Sequence, residues 1–152
     1  MKRLATILAA AAVVSACNPA LKGTQERGGV MAPSIVDPYL KIQAALANDS
    51  LDEVKANAGN IATAATALGA PAMKIDTTAL QLAAAADLPS ARDRFGALSE
   101  AIVNYMDGFK LTAPEGVRVA VCPMVNKPWL QQGDTLANPY YGKDMPTCGN
   151  FR

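Results

Sequence analysis

Four sulfur side chains lie near the end of the 152-residue chain: Cys122 and Met124 in VCPMVNKPW, and Met145 and Cys148 in DMPTCGNFR. Two thiolates and two thioethers form a soft ligand set, and soft ligands select Cu(I) or Ag(I) over Mg, Ca or Mn. Cys122 and Met124 are two apart, so on a strand they share a face, and Pro123 fixes the backbone between them. Met145 and Cys148 are three apart in a proline-containing stretch, close enough to chelate one ion. A second chemistry is open to the same residues. The two cysteines can close a disulfide, with the methionines as gap-filling side chains. Trp129 also has two roles open to it, capping a Cu(I) site with its ring face or packing the tail onto the rest of the chain.

The missing residue types narrow the field. The chain contains no histidine, which removes Ser-His-Asp and Cys-His catalysis, histidine zinc sites and histidine-ligated haem. No glycine-rich phosphate loop precedes a helix and no CxxC pair is present. The carboxylate pairs Asp52/Glu53 and Asp87/Asp93 fall at expected helix starts, where they complement the helix dipole. Arg92 and Arg94 beside Asp93 read as a surface charge cluster. The sequence therefore gives an enzyme little to work with, and the expectation is a non-enzymatic protein.

The first residues, MKRLATILAAAAVVSAC, set the compartment. Lys2 and Arg3 precede an apolar run from Leu4 to Val14, followed by small residues, the layout of a secretory signal. The run is too short for a membrane span of about 20 strongly apolar residues. Val14-Ser15-Ala16-Cys17 looks like a bacterial lipobox, in which Cys17 becomes the lipidated first residue. Asn18 after it, rather than aspartate, resembles Gram-negative lipoproteins sorted to the outer membrane. Removing Lys2 and Arg3 leaves 12 basic residues against 13 acidic ones. No polybasic tract suggests nucleic acid. An exported chain with two cysteines left commonly pairs them, because its compartment is oxidising. A Cys122–Cys148 bridge, closing a loop of about 26 residues, adds roughly 3–4 kcal/mol in the chain-entropy model.

The elements that must position the sulfurs are mainly helical. After a tether over 18–34, Ile35, Tyr39, Ile42 and Leu46 recur at helical steps. Ser50 with Glu53 three residues on reads as a capping box, ahead of the helical face Leu51, Val54, Ala58, Ile61, Ala65 and Leu68, which Gly69 and Pro71 stop. Asp76 or Thr77 caps a short alanine-rich helix. Asp87, with Pro89 in the first turn, starts a last helix carrying Phe95, Leu98, Ile102, Tyr105 and Phe109. Four helices with short breaks predict an antiparallel four-helix bundle. Val117, Val119 and Val121 alternate into Cys122 as a short strand. The prolines and glycines beyond it predict an irregular segment, ordered nonetheless because it holds half of the aromatic residues.

Several of these stretches carry a resemblance. Cys122-Pro123-Met124, Trp129-Leu130, Asn138-Pro139-Tyr140-Tyr141-Gly142, Met145 and Cys148-Gly149, with the upstream AAAADLPSARDRFGALSEAIVNYM, resemble the DUF3347-type periplasmic domain. That domain is found alone in lipoproteins or fused to Cus-type copper/silver efflux adaptors. Between Met124 and Trp129 the family often has a longer linker than the VNKP found here. The resemblance implies a helical bundle with a metal-associated C-terminal segment over 117–152, and Cys122, Met124, Met145 and Cys148 as the copper-binding set.

The expectation is thus a signal over 1–17, a tether over 18–34 and a bundle domain over 35–152. It is a lipid-anchored envelope protein that binds Cu(I) or Ag(I) as scavenger or metallochaperone, with a heavy-metal efflux component or a periplasmic copper protein as partner and no nucleic acid. The alternative is a structural or interaction lipoprotein stapled by a Cys122–Cys148 disulfide.

Overall fold

The structure is a computed structural model and describes residues 28–152. The expected signal over 1–17, the expected lipidation at Cys17 and most of the expected tether over 18–34 lie outside the described residues. The described residues are mainly helical, with four α-helices and a small three-stranded antiparallel sheet.

Helix α1 (Pro33–Ala47) begins with a proline in its first turn and buries Ile35, Val36, Tyr39, Ile42 and Leu46. The packed unit begins before the expected residue 35. Met31 is fully buried, and its N–H donates to the Thr112 carbonyl at 2.9 Å.

Helix α2 (Val54–Leu68) starts without the expected capping box. Glu53 has φ +62°, a left-handed conformation that cannot belong to the helix, so Ser50 to Glu53 form a turn instead. The Ser50 hydroxyl accepts from the Asp52 N–H at 2.9 Å. Gly69, at φ +79°, ends the helix as expected, and Pro71 sits in a short 3₁₀ turn.

Helix α3 (Met73–Ala83) starts directly from that turn, earlier than Asp76 or Thr77. The Thr77 and Thr78 hydroxyls bond back to the carbonyls of Met73 and Lys74 inside the helix. Helix α4 (Leu88–Phe109) has the expected start. The Asp87 carboxylate accepts from the Ser90 N–H at 2.8 Å, the Ser90 hydroxyl faces the Asp87 N–H at 3.3 Å, and Pro89 lies in the first turn. Its buried seam runs Phe95, Leu98, Ile102 and Met106. Tyr105 and Phe109 are only partly covered and pair with each other at 4.7 Å.

The chain does not become irregular directly after Cys122, because a second strand follows; the expected irregular stretch is residues 133–149, broken only by a short 3₁₀ turn, Gly142–Asp144. Strand β1 (Val117–Cys122) turns through Pro123, Met124, Val125 and Asn126 into strand β2 (Lys127–Gln132), with Cys122 opposite Lys127. Pro123 falls in the turn. Pro128 falls in a strand at the sheet edge, where a missing N–H donor is tolerated. Strand β3 (Asn150–Phe151) pairs on the other side of β1, giving the order β2-β1-β3. Each helix packs on the next in sequence, and β2 lies against α4 and α1. Trp129, Leu130 and Tyr140 join the helical core, so the tail closes over the helices.

Candidate functional site

The two cysteines come from neighbouring strands, the central β1 and the segment leading into β3. Cys122 ends β1 and is buried; Cys148 lies just before β3 and is partly exposed. Both are free thiols, and their side chains are near enough to interact. Partial burial, and after it the neighbouring Cys122, push the Cys148 thiol pKa up. Two adjacent thiols can lose two electrons and two protons to an oxidant to give a disulfide, or lose protons to a soft cation that both then ligate.

The methionines differ in setting. Met145 is half-buried, and its carbonyl accepts from the Cys148 N–H at 3.2 Å, so one turn carries both residues. Met124 lies on the tip of the β1–β2 hairpin and is 62% exposed. The structure thus gathers Cys122, Cys148 and the Met145 turn and leaves Met124 exposed in the β1–β2 turn.

Trp129 lies against Gly149, the residue after Cys148. It is fully buried, its Nε1–H donates to the Gln131 Oε1 at 3.0 Å, and its ring meets Tyr140 edge-on at 6.0 Å. The Tyr140 hydroxyl in turn donates to the Pro128 carbonyl. Burial raises the Tyr140 pKa well above the usual tyrosine range.

Three side chains from the helices hold the tail against them. The Tyr39 hydroxyl accepts from the Leu130 N–H at 3.2 Å, and Gln43 donates to the Ala137 carbonyl at 2.7 Å. Arg92 donates to the carbonyls of Pro139 and Leu46 and pairs with Asp49 at 2.5 Å. Arg92 is therefore not simply part of a surface charge cluster, whereas Arg94 stays at the surface, where it donates to the Gln81 carbonyl at 2.7 Å. Gly142 fits here because it has no side chain: a Cβ would lie within 1.9 Å of the Asp49 carboxylate.

Residues 35–113 match a family described as a protein of unknown function, DUF3347. The chain belongs to this family. The match spans the four helices and ends before β1, so the sulfur residues lie beyond the part that defines DUF3347 membership here. Searches among curated proteins and among solved structures each found no match.

One residue of the site carries a hydrogen-bonding role that sequence reasoning missed. Asn138, inside NPYYG, is fully buried between the two cysteine segments. Its place before a proline marks a turn, but nothing local announces that its side chain faces Cys122, sixteen residues away.

Proposed function

We propose that this chain is a non-enzymatic binding protein for Cu(I) or Ag(I), held by a lipid on Cys17 at the periplasmic face of a bacterial envelope, with sorting to the outer membrane. Cys122 and Cys148 supply the negative charge and most of the affinity. Met124 and Met145 complete a low-coordinate sulfur set, and exchange between soft sulfurs hands the ion to a heavy-metal efflux component or a periplasmic copper protein. The observation that carries the reading is the meeting of Cys122 and Cys148 beside the Met145 turn. The donor set fits a soft monovalent ion in kind. Met124 reaches it only if the hairpin tip folds down over Cys122, because it now points to solvent. The helical part we take as an antiparallel four-helix bundle, a reading supported by the short connections and the packing of consecutive helices.

The same closeness of the thiols favours a second reading, a structural or interaction lipoprotein stapled by a Cys122–Cys148 disulfide. Anaerobic titration of the reduced protein with Cu(I) against a chromogenic chelator separates the two. Under the first reading the wild type takes the ion from the chelator, Cys122→Ser loses it, and Met124→Ala and Met145→Ala weaken binding. Failure of the wild type to compete removes the metal reading. Methionine variants that bind like the wild type remove the four-sulfur set but keep a two-thiolate one.

A further inference from the structure

Asn138 has two N–H donors and an oxygen with two lone pairs, and all four are engaged. Its Nδ2 donates to the Cys122 Sγ at 3.3 Å and to the Cys148 carbonyl at 2.6 Å. Its Oδ1 accepts from the N–H groups of Tyr140 at 2.8 Å and Tyr141 at 3.3 Å. The main chain is fixed as well: the Asn138 N–H donates to the Pro146 carbonyl, and its carbonyl accepts from the Gly142 N–H. The carboxamide cannot turn over, because a flip would set Oδ1 against a sulfur and a carbonyl oxygen and Nδ2 against two N–H groups. One buried amide thus fixes the sulfur of one cysteine and the backbone of the other.

We propose that Asn138 is the positioning residue of the sulfur site: it holds the Cys122 Sγ through an N–H···S bond that persists when that sulfur ligates a soft monovalent cation, and it sets Cys148 beside it. This inference rests on the soft-metal reading above. A donor aimed at a ligating sulfur orients its lone pairs and withdraws electron density from it, as outer partners do for metal ligands generally. The orientation raises affinity, and the lower density raises the energy of charge transfer from sulfur to metal. A neutral amide does both without adding a second positive charge beside the incoming cation.

The test uses the full-length reduced chain and Cu(I) supplied as its complex with a chromogenic chelator, comparing wild type with Asn138→Asp and Asn138→Ala. Aspartate keeps the shape and the acceptor for Tyr140 and Tyr141 but, when ionised, offers no donor to Cys122. We expect Cu(I) affinity to fall about 10–100-fold, and the thiolate-to-Cu(I) absorption band to move to longer wavelength in both variants. A residue of purely structural importance would lower the melting temperature without moving the band of the folded, loaded protein. Folded variants with wild-type affinity and band overturn the inference and leave the soft-metal reading standing. A wild type that cannot take Cu(I) from the chelator overturns both. Nuclear magnetic resonance of the ¹⁵N-labelled wild type tests the same bond if a variant does not fold. One Asn138 δ2 proton is expected downfield and slow to exchange before and after one equivalent of Ag(I), and two rapidly exchanging δ2 protons in the loaded protein overturn the inference.

Discussion

The indole of Trp129 lies directly against the α-carbon of Gly149, so closely that a methyl group there would fall 2.4 Å from the ring. The fully buried ring has no room to move aside, and an oversized side chain in a packed core costs about 1–3 kcal/mol. Gly149→Ala should destabilise the protein by that amount in urea unfolding. Gly59→Ala is the contrast, since a Cβ there meets nothing within 4 Å inside α2. It should stabilise by about 0.4–1 kcal/mol. Equal effects of the two changes would refute this account of Gly149.

Tyr39 joins three elements. Its ring stacks on Phe95 at 5.0 Å, and its hydroxyl shares a 2.6 Å hydrogen bond with Ser99 while accepting from the Leu130 N–H. Tyr39→Phe leaves that buried N–H without its partner, at about 1–3 kcal/mol. Tyr105→Phe, on the partly covered end of α4, should change stability by less than about 0.5 kcal/mol. Denaturant midpoints compare the two, and a neutral Tyr39→Phe would show that the tail does not depend on this hydroxyl.

The Arg92 guanidinium beside Asp49 holds the Asp49 carboxyl below its ordinary value of 3.8. A carboxylate with a depressed folded pKa contributes stability that is present above the unfolded value and lost as the pH falls through the folded one. Asp49→Asn lacks that contribution from the start. Its melting temperature should therefore fall less steeply than the wild type's between about pH 5 and about pH 3. Parallel curves would mean that the pair does not link protonation to folding.

Oxidation should be readable as stability. If Cys122 and Cys148 close a bridge, the oxidised chain should weigh two hydrogens less and resist unfolding by roughly 3–4 kcal/mol more than the reduced one. Cys148→Ser should abolish the difference. An oxidised wild type with unchanged mass would remove the stapled reading.

Local signals were the legible ones. Asp87 and Pro89 mark the start of α4 because a cap is decided within one turn, and Val117, Val119 and Val121 mark β1 by alternation. Glu53 misled because the same residues that write a capping box also write a turn, and only the left-handed φ tells them apart. Pro128 argued against a strand, and the edge position that permits it is a property of the whole sheet. Arg92 and Asn138 were illegible for a similar reason. Their partners lie 43 to 47 and 10 to 16 residues away on other segments, and such contacts leave no period in the sequence. The pairing of Cys122 with Cys148 could be raised from their number and compartment, whereas the exposure of Met124 required the hairpin.

The anchors of the tail also bear on the order in which the chain assembles. Tyr39 meets Leu130 across 91 residues and Gln43 meets Ala137 across 94. Closing loops of that size precedes any gain from the contacts they allow, and such long-range pairings slow folding. The helices form from near neighbours, while the sheet can dock only after α1 and α4 have met. Wherever the helices form before the tail docks, both thiols are still apart, and whatever captures Cys122 or Cys148 then competes with the docking of the tail.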